Sequence, residues 1–278
     1  MRWLVRFGYD GAGFAGWARQ PGRRTVEGEI RRGLERSGLV RSADEAAIEV
    51  ASRTDAGVSA RANLLAISLP LDGPALLRAL NGIAPDIHFS AARPLPPGRS
   101  PRTEALWREY RYYLGGGRDR AARLASIVAV LPPRLDGRSF GRGVPPDRPA
   151  IRPIDRLTVR AGRGGIRLEV RAPGFLWGMV RKLVGGLTAV EAGALDAEAL
   201  LAAAEGRRRL TLPLAPAGPL LLWEVRCPGR WPHRAERRSR QQARHLADGR
   251  SDADARRRLL LDLDRAWAPA APEPGRNL

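Results

Sequence analysis

The run Ser52-Arg53-Thr54-Asp55-Ala56-Gly57-Val58 sets a carboxylate beside a guanidinium in a tight polar turn, directly after the short apolar stretch Ile48 to Ala51. A carboxylate in such a place can serve as a nucleophile or as a general base. The same residue types in a turn also have a purely structural use, with the aspartate bonding nearby backbone amides. No convincing second acidic motif supplies the acid and base pair of a carboxylate-dependent hydrolase built around Asp55. Other chemistries lack their residues. Cys227 is the only cysteine, so no intramolecular disulfide can form and the cytosol is the natural compartment. That cysteine and the scattered His88, His233 and His245 show no zinc-ligand spacing, and no metal is expected.

The charge points to a partner. Forty-eight basic residues against 29 acidic ones leave a formal charge of +19, the electrostatic footprint of a protein that binds a polyanion, nucleic acid first. Lys182 is the only lysine. A codon bias toward arginine explains that substitution but not the excess of positive charge. No apolar run reaches the roughly 18 to 20 residues that span a bilayer, and the opening residues carry no cleavable signal pattern. A soluble, cytoplasmic protein without a membrane segment is expected.

Several elements must position the Asp55 turn. Arg2 to Tyr9 reads as a strand, followed by a Gly-rich loop from Asp10 to Gly16. Thr25 fits a helix N-cap, with Val26, Ile30 and Leu34 at helical spacing before Gly38. Ile48 to Ala51 and Leu64 to Leu69 read as strands, Pro74 to Leu80 as a short helix and Ile87 to Ala92 as a strand. The order up to about residue 95 is β-α-β-β-α-β-like. Turn-rich residues 95 to 102 read as a connector. Beyond it, Tyr110 to Leu114, Leu157 to Arg160, Ile166 to Ala172 and Leu220 to Arg226 are strand-like. Met179, Val180, Leu183, Val184 and Leu187 give a helix from about Leu176 to Ala192. Residues 115 to 150 are dominated by Gly, Pro and Arg, apart from an apolar stretch near Ala125 to Leu131, and are poor in recognisable helix. The predicted organisation is 1–95, 96–229 and an arginine-rich, flexible tail over 230–278.

Four ordered blocks carry a family resemblance. Tyr9-Asp10-Gly11 with Phe14, Gly16 and Trp17 resembles the first signature of the tRNA pseudouridine synthase A family, the enzymes named for tRNA positions 38 to 40. Arg53-Thr54-Asp55-Ala56-Gly57-Val58 is similar to its aspartate loop, and Tyr110-Arg111-Tyr112 to its tyrosine strand. Gly174-Phe175-Leu176 with Met179-Val180-Arg181 resembles its last helix block. The resemblance implies an α+β pseudouridine synthase fold of two ferredoxin-like halves with antiparallel sheets around a central basic cleft. It also implies a homodimer that grips the anticodon arm of tRNA.

The implied reaction breaks the glycosidic bond of a uridine, turns the detached uracil and rejoins it through carbon 5, with no net redox change and no cofactor. By the motif match Asp55 is the catalytic carboxylate, as nucleophile or as base, and Arg181 its cationic partner. Tyr110 is the tyrosine whose ring can stack on a flipped uracil. Arg53 is the residue that fills the space the base leaves. Arg23, Arg24 and Arg102 are the expected phosphate contacts. The chain departs from the family pattern at Ser52 (usually glycine), Ser59 (usually histidine) and Asn63 (usually glutamine). These departures keep open the same chemistry at another RNA site, and charge alone keeps open a noncatalytic RNA-binding protein.

Overall fold

The computed structural model describes residues 1–144, 150–162 and 165–235, together with Leu259 and Asp262. The first half runs β1 (Arg2–Tyr9), α1 (Val26–Arg36), β2 (Glu49–Val50), β3 (Ser59–Ser68), α2 (Gly73–Ile83) and β4 (Ile87–Pro94). After a single-turn helix α3 (Pro101–Glu104) come β5 (Trp107–Leu114) and α4 (Arg118–Ala129). A small excursion follows, of β6 (Arg134–Asp136), α5 (Gly137–Phe140) and β7 (Ile151–Pro153). The chain then continues through β8 (Arg156–Gly162), β9 (Gly165–Ala172), α6 (Met179–Glu191), α7 (Ala197–Ala204), β10 (Leu220–Arg226) and β11 (His233–Arg234).

The α+β fold expected from the sequence is present, and the two halves repeat one topology. In the first, β4, β1, β3 and β2 lie side by side; in the second, β10, β5, β9 and β8 do. Numbered within each half, both orders are 4-1-3-2, with helices after the first and third strands, as a ferredoxin-like unit requires. Pairing within each half is antiparallel. The halves fuse into one nine-stranded sheet among the described residues. The seam is a short parallel pairing in which Leu221 and Leu222 of β10 meet Ser59 and Ala60 of β3. The same edge of β3 is taken farther along by β2, at Leu65 and Ala66. The Asp55 turn, which joins β2 to β3, therefore lies in the gap between β2 and β10.

Local chemistry explains the elements. The Thr25 hydroxyl accepts from Gly28 N at 3.2 Å and Glu27 and Glu29 occupy the first turn of α1, complementing the positive end of the helix. Val26, Ile30 and Leu34 of α1 are fully buried. β1 is buried on both faces, as a central strand should be: Leu4, Val5, Phe7 and Tyr9 expose nothing. Residues 115–150 correct the sequence reading, because twelve of them form α4, which buries Ala121 and Leu124. Only two of its positions are buried, so the apolar stripe is narrow and only the stretch near Ala125 showed in the sequence. Of the stretch read as a tail, His233 and Arg234 pair with β4. Ala235 N–H donates to Ser90 O at 2.9 Å, Leu259 is buried, and Asp262 accepts from the Tyr113 hydroxyl at 2.5 Å; residues 236–258, 260–261 and 263–278 lie outside the described residues.

One close approach couples the fold to the site. A Cβ on Gly185 of α6 would sit 2.0 Å from the carbonyl oxygen of Pro213, in the segment whose Ala215 exchanges hydrogen bonds with Arg181. Gly185→Ala gains about 1 kcal/mol of helix propensity. It also forces a backbone displacement, and such overpacking costs about 1–3 kcal/mol. Because the obstacle is a carbonyl rather than a flexible side-chain end, the clash wins. Urea unfolding is expected to show a lower midpoint; an unchanged or higher one would refute the contact.

Candidate active site

The Asp55 turn is held by the first loop. Backbone N–H groups of Trp17 and Gly57 donate to Thr54 O at 3.0 Å and Phe14 O at 3.2 Å, and the Tyr9 and Thr54 hydroxyls hydrogen-bond at 2.6 Å. Two glycines make this approach possible. A Cβ on Gly11 would lie 2.3 Å from the Val58 carbonyl, and Gly16, at φ +96°, has Thr54 O at 2.8 Å from the Cβ position. Val58 N–H closes the turn on Asp55 O at 3.1 Å, with Gly57 at φ +78° in the left-handed position that a type II turn gives to glycine.

Three of the sequence-predicted residues converge. Asp55 Oδ2 accepts from Arg181 Nη1 at 2.9 Å, and Oδ1 accepts from Trp177 Nε1 at 2.8 Å. The two donors flank the start of α6, where the helix dipole is positive. The Asp55 side chain is 24% exposed and that of Arg181 15%. A partly desolvated carboxylate is costly unless each oxygen is partnered, and two donors, one of them cationic, meet that requirement. Arg181 is itself aimed by its Nε, which donates to Ala215 O at 2.7 Å.

Tyr110 lies on β5 with its ring edge-on to Phe175, centroids 5.2 Å apart. Burial pushes its hydroxyl pKa far above the ordinary tyrosine value; Arg108 opposes this and Asp55 reinforces it. The hydroxyl therefore stays protonated. Two residues along the same face, the Tyr112 hydroxyl donates to Pro216 O at 3.0 Å, and burial raises its pKa to about 12 against a lowering by Arg181.

The remaining predicted residues have other settings. Arg53 is exposed beside the turn, and its side chain has no hydrogen-bond or ion-pair partner among the described residues. Arg23 and Arg102 are exposed as well, Arg102 on α3. Arg24 is exposed too but already paired: its guanidinium bonds Glu29 at 2.9 Å and Asp86 at 2.5 Å and lies over the Phe14 ring at 4.5 Å. It braces the first loop.

Two site residues escaped the sequence reading. Trp177, 59% exposed, stands in the gap between Phe175-Leu176 and Met179; its only sequence signal is the four-residue spacing to Arg181, which places both at one helix end. Arg108 is buried, and its guanidinium ties the halves together. It donates to Pro173 O at 2.5 Å, to Ala51 O at 3.4 Å and to Ser52 Oγ at 3.4 Å. Burial lowers its pKa, with Tyr110 opposing and Arg102 adding to the shift. Strand alternation puts Arg108 on the face of Tyr110 and Tyr112, and that was the missed signal. Among the described residues, no group of three His, Cys, Asp or Glu side chains could hold a metal.

A family model described as tRNA pseudouridine synthase matches residues 134–228, a span that contains Trp177 and Arg181 but not Asp55 or Tyr110. The chain is 35% identical to tRNA pseudouridine synthase A of Thermococcus kodakarensis over 231 residues, 82% of this chain and 86% of that protein. It is 31% identical to the Thermococcus gammatolerans protein of the same name over 273 residues, 98% of this chain and 97% of that one. The Cutibacterium acnes protein of that name is 35% identical over 250 residues, 82% of this chain and 89% of its own.

Replacing Arg108 by methionine keeps the bulk of the side chain but leaves the Pro173 and Ala51 carbonyls without their donor. Loss of buried partners costs about 1–3 kcal/mol, so urea unfolding should show that decrease and amide exchange in the Asp55 turn should speed up. Unaltered exchange there would mean that Arg108 does not hold the turn.

Proposed function

Because the chain belongs to the tRNA pseudouridine synthase A family, whose members are isomerases, we propose that it converts uridine to pseudouridine in the anticodon stem and loop of tRNA, with Asp55 starting the reaction. The observation that carries this reading is the Asp55 carboxylate, held on one oxygen by Arg181 and on the other by Trp177, beside the buried ring of Tyr110. The carboxylate acts on the sugar of the target nucleotide, as nucleophile or as base, while the bond from C1′ to N1 breaks. The uracil turns, C1′ bonds to C5, and the C5 proton leaves as N1 gains one. Atoms and charge balance without any cofactor.

Each neighbour has a role consistent with its setting. Arg181 orients the carboxylate toward the reacting carbon and sets a positive charge beside it while the base leaves. Tyr110 offers a ring face to the extruded uracil and a hydroxyl that remains a donor. Arg53, exposed and without a partner among the described residues, braces the gap in the stem, and Arg23 and Arg102 meet phosphates. Arg24, already bound by two carboxylates, contributes its charge at a distance. The same reading takes residues 1–95 and 96–229 as the two halves of the catalytic unit and 230–278 as an extension, and it includes a homodimer in the cytoplasm.

The departures from the family pattern do not favour a different RNA target. Ser59 Oγ accepts from Gly11 N at 2.9 Å and faces Asp10 at 3.3 Å. Asn63 Nδ2 donates to Ser52 O at 2.7 Å. These side chains bond within the protein rather than facing a substrate, which supports an unaltered site.

Tritium release from C5-labelled uridine in unmodified tRNA tests the reaction. The wild type should release it and Asp55→Asn should lose at least roughly a thousandfold, since removal of a covalent or proton-transfer catalyst costs several kcal/mol; no release by the wild type, or full release by the variant, would overturn the reading. Tyr110 makes a separate prediction. With its pKa pushed up by burial, the hydroxyl does not ionise near the ordinary value of about 10. Tyr110→Phe should therefore slow turnover while leaving the pH profile's shape intact. Loss of an alkaline limb would instead identify Tyr110 as a titrating base.

A further inference from the structure

A second basic site lies one indole ring away from Asp55. Between α5, the residues following it and α6 is a cavity of about 520 Å³ lined by Arg138, Arg142, Lys182, Arg209 and Thr211. Arg138 is neutralised by Asp136. The other three cations form no ion pair with a carboxylate among the described residues, although Arg209 lies close enough to Asp136 to help lower its pKa. Lys182 is the sole lysine of a chain that otherwise uses arginine, and its Nζ is fixed by donating to Gly141 O at 2.9 Å and Ser139 O at 3.2 Å. An ammonium has three donors, so one remains. Two carbonyls at this spacing suit a compact ammonium better than the planar fork of a guanidinium.

The cavity is coupled to the reactive carboxylate. The Arg142 guanidinium lies 4.3 Å from the Trp177 ring centre, and its backbone N–H donates to Trp177 O at 2.9 Å. Trp177 in turn donates to Asp55. Lys182 and Arg181 are successive residues at the start of α6, about 100° apart around the helix, so one turn aims one cation at Asp55 and the next at the cavity. The crowding is felt: burial, with Arg142 and Arg209 adding to it, lowers the Lys182 pKa. Mutual repulsion among cations is the condition that a bound anion relieves.

Resting on the function proposed above, we infer that this cavity is the seat of an RNA backbone phosphate, one belonging to a nucleotide next to the target uridine, gripped by Lys182, Arg142 and Arg209. The strand passes over Trp177, whose exposed face lies between the cavity and Asp55. Seating that phosphate registers the strand so that the neighbouring base, and no other, reaches the carboxylate.

The test scans single uncharged methylphosphonate linkages through a labelled stem-loop RNA whose uridine the wild type isomerises, with binding read by fluorescence anisotropy. At about 0.1 M salt, neutralising the one linkage that sits in the cavity should weaken wild-type binding on the order of tenfold, since each phosphate contact contributes a salt slope of about 0.7–1. Arg209→Gln, at an exposed position, should lose a comparable factor and a comparable slope, and the same linkage should then cost it nothing further. Arg142→Gln repeats the comparison and guards against a folding defect peculiar to either variant. Equal linkage costs in wild type and both variants at every position would overturn the phosphate site while leaving the isomerase reading standing. A wild type that neither binds nor isomerises the RNA would overturn both.

Discussion

Asp55 stands in the first half of the chain and both groups that hold its carboxylate stand in the second, so the site exists only where the two halves are fused. The fusion rests on a two-rung parallel pairing of β3 with β10, reinforced by the buried Arg108, which donates to carbonyls on both sides of the junction. Parallel pairing is slightly weaker per residue than antiparallel, and two rungs are few. Much of the alignment must therefore come from side chains, and the Arg181–Asp55 contact is itself one of those ties. The geometry of the candidate site and the fusion of the halves share the same atoms.

That arrangement explains why the first loop is so constrained. Residues 9–17 offer the Asp55 turn backbone hydrogen bonds, a hydroxyl pair and two positions where only glycine fits. A turn that must place one carboxylate gains precision when its backbone is fixed rather than its side chain alone. Ser59 and Asn63 extend the same lattice of bonds inward. The family signature around Tyr9, Gly11 and Gly16 thus supports the aspartate without touching what the aspartate touches.

Charge is organised on two scales. Over the whole chain the excess of arginine suits a polyanion. At the site, individual cations are separated by function. Arg181 is committed to Asp55 and Arg24 to Glu29 and Asp86, whereas Arg53, Arg142 and Arg209 form no ion pair among the described residues.

The sequence by itself determined the elements whose signals are local. The span of β1, the Thr25 cap of α1, the Asp55 turn and the apolar stripe of α6 all depend on neighbours within a few residues, and motif order was enough to nominate Asp55, Tyr110 and Arg181. It could not show that the two halves repeat the same 4-1-3-2 order, because strand pairing is nonlocal and leaves no period along the chain. Nor did it single out Trp177 or Arg108. Each looks ordinary in its own segment and acquires a role only when a residue 122 or 57 positions away comes within hydrogen-bonding distance. The type of chemistry was written in residue identities; the way the carboxylate is held was decided by the tertiary structure, since contacts of that kind form only when the sheet closes across its seam.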